Sequence, residues 1–272
     1  MSVAIPETKV VLKDIKKSFT TKNGTLQVLD GISLEVRENE FLVLFGPGQC
    51  GKTVLLNVMA QLEEPDAGQV IYSDNRKVYG NIGVVFQQYA IYPWKTVLEN
   101  VEMNGKFKGV PKEKRRKEAM EYIKLVGLEG FEKSYPSQLS GGMKQRVGIA
   151  RAYATNSDII LMDEPFGALD AQTRYQMQEE ILRIWQQKKC TIVFITNNVE
   201  EAVTLGDRIV LLSNKPCQVV EEFVPDLPRP IWIRVFWNCA MKLLPKWIWR
   251  CNSGSYYFIN SWRCFCERGN QG

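Results

Sequence analysis

Residues 41–53 read FLVLFGPGQCGKT, and this stretch decides the fold. An apolar run that ends in glycine is the pattern of a strand covered on both faces that enters a loop. The loop residues Gly46, Pro47, Gly48, Gln49, Cys50, Gly51, Lys52 and Thr53 then lead into a helical stretch over 52–61. In that context, backbone N–H groups and the helix dipole can wrap a polyphosphate. Lys52 is expected to reach the β and γ phosphates, and Thr53 to ligate Mg2+. The bland alternative, a Gly-rich turn between strand and helix, is disfavoured by the same strand–loop–helix order. Cys50 reads as a small filler rather than a reactive group.

Working outward, strand signals recur at DIILMD (158–163), TIVFIT (191–196) and RIVLLS (208–213), separated by helical stretches. That order predicts a parallel βαβ sheet with its ligand at the carboxyl ends of the strands. Upstream, residues 9–36 alternate apolar and polar around a turn at Lys22-Asn23-Gly24, which predicts antiparallel strands. Further strands are expected at 68–74 and 80–87, with a turn at 65–68. From 89 to 155 the chain becomes charged and helix-forming, as in KEKRRKEAMEYIKLVGL, with apolar residues at three and four spacing. The fold class expected is α/β with an antiparallel β subdomain and an inserted helical subdomain, and with the glycine loop at 46–53 the core resembles the RecA-like core of a P-loop NTPase. One ATPase domain is expected over 1–230, with the helical insertion at 89–155.

Asp163 follows IILM at a strand's carboxyl edge, where its carboxylate can hold the water shell of a metal. Glu164 beside it can orient or deprotonate an attacking water. A solvated acidic loop is the alternative, and it fits poorly with four apolar residues before the acids and Pro165 after them. Leu139 to Met143 read LSGGM: a serine and two glycines at a helix start form an anion site that the chain's own nucleotide does not need. Alone, Ser140 would pass for an ordinary helix N-cap.

Taken together, these blocks resemble the nucleotide-binding subunit of an ATP-binding cassette (ABC) transporter over about residues 8–230. The resemblance implies ATP and Mg2+ as cofactors and a head-to-tail dimer with a second ABC subunit. In that dimer Ser140, Gly141 and Gly142 touch the opposite copy's γ-phosphate. It also implies that Gln87 meets Mg2+ and the attacking water, and that Asp170, in Gly167-Ala168-Leu169-Asp170, reaches across the interface. Phe19 falls where an aromatic stacks on adenine, and strand core is an equal reading. Tyr89 to Val101 would face two transmembrane permease subunits, with Trp94 as the candidate contact; a core role for Trp94 stays open.

The chain departs from the family at 196–198, which read Thr-Asn-Asn where Thr-His-Asp is usual. The switch histidine is thus Asn197, an amide that can donate to a phosphate but carries no charge and reaches less far. Slow but nonzero hydrolysis follows, unless the site is adapted to Asn or pairs with a different, His-bearing subunit. The strings IYPWKTVLENV, YPSQLSGGMKQRVGIARA and MDEPFGALDAQTR are most similar to importers of nitrate, sulfonates, taurine and related small anions. In that branch a solute-binding protein delivers the cargo.

Composition narrows the rest. The net charge of +5 is misleading, because six of the 35 basic residues but one of the 30 acidic ones lie beyond Pro230. Residues 1–230 are neutral, so no nucleic-acid partner is expected. The seven cysteines have no paired spacing and no signal-like segment precedes them, which reads as reduced thiols in the cytosol. No eighteen-residue uncharged apolar run occurs, so membrane association at the cytoplasmic face of the inner membrane would be peripheral, through partners. The chain has no histidine, which removes imidazole from any mechanism.

Beyond Pro230 lie five of the seven Trp and no Asp, in a segment without helical or strand period. A basic aromatic membrane-surface segment and an altered reading frame are the two readings of 231–272, the second favoured. Of the functional alternatives, a soluble ABC ATPase would usually bring fused cassettes or long coiled coils, which are not seen. A hydrolysis-impaired regulatory cassette is suggested by Asn197, but Lys52, Asp163 and Glu164 argue against full inactivity.

Overall fold

A computed structural model describes residues 7–22, 24–73 and 82–225. Expectations for Asn23, for 74–81 at the ends of two strands, and for both readings of 231–272 lie outside the described residues.

The run at 41–45 forms strand β3 (Phe41–Phe45), buried along its whole length. It is preceded by β1 (Thr8–Thr21) and β2 (Gly24–Arg37) and followed by α1 (Lys52–Met59), β4 (Ala67–Tyr72) and β5 (Ile82–Val85). Only helical elements separate β5 from β6 (Ile159–Asp163). They are α2 (Val97–Val101), α3 (Met103–Phe107), α4 (Lys112–Leu125), a 3-10 turn at Pro136–Gln138 and α5 (Gly141–Tyr153). The chain then alternates α6 (Ala171–Lys188), β7 (Thr191–Thr196), α7 (Val199–Leu205), β8 (Arg208–Leu212) and β9 (Val219–Phe223).

The central sheet runs β5-β6-β7-β3-β8-β9. Its first five strands are parallel, with Phe41 opposite Ile192 and Leu42 opposite Arg208. β9 is antiparallel to β8 and was not anticipated: VVEEF at 219–223 is short, carries two acids and sits at an edge, so no apolar period announces it. A second sheet, β2-β1-β4, is antiparallel throughout.

Two cores explain why the central strands lack alternation. Phe41, Val43 and Phe45 point with Ile160, Met162, Ile192 and Phe194 toward α4, α5, α6 and α7. Leu42 and Leu44 point with Leu161, Val193 and Ile195 toward α1 and the antiparallel sheet. Successive side chains alternate faces, but both faces are covered, so the interior positions of these strands are apolar. The helix-side core is aromatic at its centre: Phe41 meets Trp185 edge-on at 5.7 Å and Phe194 at 5.9 Å, and Phe194 meets Phe166 at 5.5 Å.

Arg208 on β8 ties the sheets together. Its guanidinium lies 2.6 Å from Glu40 and 2.6 Å from Glu222 on β9, and donates to the Glu35 carbonyl of β2. The inserted α2 begins with a capping box, Thr96 and Glu99 each satisfying the other's backbone N–H.

Candidate functional site

The glycine loop leaves the carboxyl end of β3 and closes onto the first turn of α1. Gly46 N–H donates to the Thr196 carbonyl at the end of β7 (3.4 Å), so the loop is anchored where two parallel strands finish. Gly51 caps α1 with φ 129°, and a Cβ there would lie 2.8 Å from Val28 Cγ1. Both the backbone angle and the packing exclude a side chain at Gly51. Gly48 and Gln49 are exposed at the loop tip, and nothing would meet a Cβ on Gly48 within 4 Å. That tip leaves room for a ligand to approach the backbone.

Lys52 is 4% exposed, and its ammonium sits inside the loop, donating to the carbonyls of Gly46 (3.0 Å) and Pro47 (2.8 Å). Glu164 Oε1 lies 3.4 Å from the same nitrogen. Glu164 itself has φ 40°, and its N–H is held by the Ile195 carbonyl at 3.0 Å. A non-glycine residue in that region is costly and is commonly kept for a functional reason.

Asp163, at the buried end of β6, is hydrogen-bonded to the Thr53 side chain. Burial pushes the Asp163 carboxyl above its ordinary range and the Glu164 charge adds to this, while Thr53 and Lys52 pull the other way. Gln87 is exposed just past β5, its Nε2 3.9 Å from where a Cβ on Gly167 would stand. Gly167 N–H in turn donates to the Glu164 carbonyl (3.1 Å), so Gln87 lies beside the loop that carries the acid. Thr53 hydroxyl, Asp163 carboxylate and Gln87 carbonyl are hard oxygen donors, the set that suits Mg2+ with phosphate and water completing the shell. No group of three or more His, Cys, Asp or Glu residues that could hold a metal occurs among the described residues.

Ser140 caps α5, its Oγ accepting from Met143 N–H at 3.3 Å. The N-cap role and an exposed anion site are compatible, since Ser140 and Gly141 are both exposed. Positions 141 and 142 are pressed from two sides: a Cβ on Gly141 would lie 2.9 Å from the Tyr89 hydroxyl, and one on Gly142 would lie 2.9 Å from Thr173 Cγ2. α5 packs on β5, α2 and α4, whereas α1 packs on β6 and β2, the other face of the sheet. The glycine loop and the Ser140 turn therefore lead into helices that cover opposite faces of the central sheet.

Asp170 caps α6, accepting from Thr173 N–H (3.0 Å) and Thr173 Oγ1 (2.7 Å). The first of those bonds holds its carboxyl below the usual range. Asn197 is exposed between two fixed neighbours, Thr196 at the end of β7 and Asn198, which caps α7. Phe19 is 37% exposed with the Lys17 ammonium 5.5 Å from its ring centre, which sets aside the strand-core reading. Trp94 is 69% exposed, 5.7 Å from Tyr92, which sets aside its core reading as well. Cys50 is fully buried, and the neighbouring Cys217 thiol holds its own thiol below the ordinary value. Cys50, Cys190 and Cys217 are free thiols.

The sequence did not point to two further contacts. Tyr89 lies over Gly141, and Glu201 reaches back to Thr196 (2.5 Å). Asn198 followed three residues later by Glu201 has capping-box spacing, and that signal misleads, because the Glu201 side chain turns toward β7 instead.

A phosphate-type loop on β3 with an acid pair at the end of β6 makes this a P-loop NTPase, built on an ABC cassette fold. The chain belongs to the ABC transporter family: the family model described as "ABC transporter" matches residues 29–167. It is 50% identical over 225 residues to an "uncharacterized ABC transporter ATP-binding protein" of Methanocaldococcus jannaschii, covering 82% of this chain and 84% of that protein. It is 40% identical over 225 residues to the "aliphatic sulfonates import ATP-binding protein" of Bacillus cereus, covering 81% of this chain and 88% of that protein. Among solved structures, the dimeric ABC transporter cassette MJ0796 superposes with a TM-score of 0.71 at 35% identity, covering 79% of this chain and 98% of that one. A post-hydrolysis dimer of the same cassette, bound to ADP and Pi, superposes with a TM-score of 0.70 at 34% identity, covering 79% and 98%.

Proposed function

We propose that this chain is the ATP-binding and hydrolysing subunit of an importer, energising uptake of a small anion such as nitrate, a sulfonate or taurine. The observation that carries the ATPase reading is the meeting of Lys52 and Glu164 at 3.4 Å, at the mouth of the glycine loop. A cation for the transferred phosphate and a carboxylate for the attacking water converge on one point. On ATP binding, Lys52 exchanges Glu164 for the β and γ phosphates, and loop N–H groups from Gly48 to Thr53 wrap the polyphosphate. Glu164, freed from the ammonium, then orients or deprotonates the water, with Gln87 beside it. Mg2+, held by Thr53, Asp163 and Gln87, would neutralise charge building on the phosphates. Asn197 donates a neutral hydrogen bond to the γ-phosphate, and Phe19 stacks on the adenine.

The pair is head-to-tail: Ser140, Gly141 and Gly142 of one copy close on the nucleotide of the other, and Asp170 reaches across. The dimeric state of the MJ0796 cassette supports this. Two permease subunits engage Tyr89 to Val101, with Trp94 as an anchor, and a solute-binding protein delivers the cargo. The site is peripheral, at the cytoplasmic face of the membrane; no helix among the described residues is long and apolar enough to cross one. The anion class rests on likeness to the sulfonate-import relative.

Asn197 favours a second reading, a hydrolysis-impaired cassette paired with a different ABC subunit. Two measurements separate the outcomes. Glu164→Gln protein should dimerise on adding ATP, and Ser140→Arg should abolish that dimer. A monomer with ATP bound, indifferent to Ser140, would sink the ATPase-pair reading. Uptake of nitrate, taurine and alkanesulfonates by the reconstituted complex then decides the cargo, and a homodimer without turnover favours the second reading.

A further inference from the structure

Glu201 on α7 is 4% exposed, a carboxylate in the interior with two partners on different elements. Oε2 accepts from Thr196 Oγ1 at 2.5 Å. The same Thr196 Oγ1 accepts from Asn198 N–H at 3.0 Å, so a single hydroxyl spans the turn that presents Asn197. Oε1 lies 3.6 Å from Arg174 Nε on α6. Arg174 Nη2 in turn donates to the Leu169 carbonyl at 3.1 Å, one residue before the Asp170 cap. Glu201 thus stands between the turn at 196–198 and the loop at 167–170.

Folding alone does not call for a carboxylate here. The α7 N-terminus is already capped by Asn198 Oδ1, which accepts from Glu200 N–H (2.8 Å) and Glu201 N–H (3.3 Å). Burial disfavours the ionised form and raises the Glu201 carboxyl, an energetic cost that an apolar side chain would not carry. Thr196 and Arg174 offset that cost, and both belong to segments that the proposed function places on a nucleotide.

We propose that Glu201 is a positioning residue for hydrolysis, fixing the Asn197 turn to the Arg174–Leu169 segment so that the γ-phosphate contact in one copy is registered to the loop meeting the other. The inference rests on the ATPase reading above. It assigns no substrate contact to Glu201; its action is through Thr196 and Arg174.

The test is steady-state phosphate release by the full chain, with nucleotide affinity measured separately by fluorescent ATP-analogue binding. Glu201→Ala should lower kcat about 10- to 30-fold, the effect of losing a buried charge-assisted link, with KM for ATP within about twofold. Glu201→Gln retains an oxygen for Thr196 and should recover part of that loss. Combining Glu201→Ala with Arg174→Met should cost no more than Glu201→Ala alone, because both interrupt the same path. Thr196→Val cuts the chain of bonds from the other side and covers the case in which Glu201→Ala does not fold. Folded Glu201→Gln and Thr196→Val proteins with kcat within twofold of the parent would overturn the proposal, as would a loss carried wholly by KM. Failure of the Glu164→Gln protein to dimerise with ATP strikes the underlying ATPase reading instead, whatever the Glu201 variants do.

Discussion

Replacing Asn197 by histidine should speed the enzyme. The side chain is exposed, and its backbone is pinned on both sides, by the Thr196–Glu201 bond at 2.5 Å and by the Asn198 cap, so a larger ring can be accepted without moving the turn. A neutral amide donating to a phosphate contributes about 0.5–1.5 kcal/mol, whereas a charged donor contributes about 1.5–3 kcal/mol. The difference, about 1–1.5 kcal/mol if expressed in the transition state, is about a 5- to 12-fold rise in kcat. An imidazole titrates near pH 6.5 unperturbed, so the gain should be largest below about pH 7 and shrink as pH rises and the ring loses its proton. The assay is phosphate release by Asn197→His and Asn197→Ala proteins, alone and in the assembled transporter, from pH 6 to 8.5. The alanine variant should fall about 2- to 10-fold. Unchanged turnover in both variants would show that this position does not limit hydrolysis, and the argument from missing charge would be wrong.

Trp94→Ala should leave phosphate release by the isolated chain within about twofold, since the ring is 69% exposed, yet cut solute uptake by the reconstituted complex about tenfold or more. Equal losses in both assays would assign Trp94 to folding rather than docking. Asp163→Asn should abolish Mg2+-dependent hydrolysis and raise the melting temperature of the nucleotide-free protein. Because burial raises the native carboxyl above its unfolded value, ionisation penalises the parent once pH exceeds about 4, so the variant's advantage should be present at pH 7 and fade as pH falls toward 4. A pH-independent difference in melting would refute that origin. Arg208→Met leaves Glu40 buried without its guanidinium and should lower the urea-unfolding free energy by about 3–5 kcal/mol; a change under about 1 kcal/mol would mean Glu40 finds another partner.

The parallel core was legible because its strands are covered on both faces. FLVLF, IILM and TIVFIT cannot be read as surface, and the glycine run after the first has one geometric use. β9 was invisible for the opposite reason: an edge strand needs apolar residues on one side at most, and VVEEF carries two acids. Phe19 and Trp94 were ambiguous in one dimension because an aromatic on a strand or in a loop serves burial and docking equally; exposure set the burial reading aside. Glu201 resembled a capping residue by spacing, and only the fold turned its carboxylate toward Thr196 and Arg174.

Sequence by itself determined the order of the buried parallel strands, the glycine cradle with Lys52 and Thr53, the adjacent acids at 163 and 164, and the serine-led helix at 140, because each depends on residues close together in the chain. Only the tertiary structure decided that Lys52 and Glu164 meet at 3.4 Å, that α1 and α5 lie on opposite faces of the sheet, and that residues 169, 174, 196 and 201 are linked by two hydrogen bonds and one ion pair. Those contacts join segments as far apart in the chain as Lys52 and Glu164, more than a hundred residues, and their geometry follows from strand order and helix packing, which local spacing does not encode.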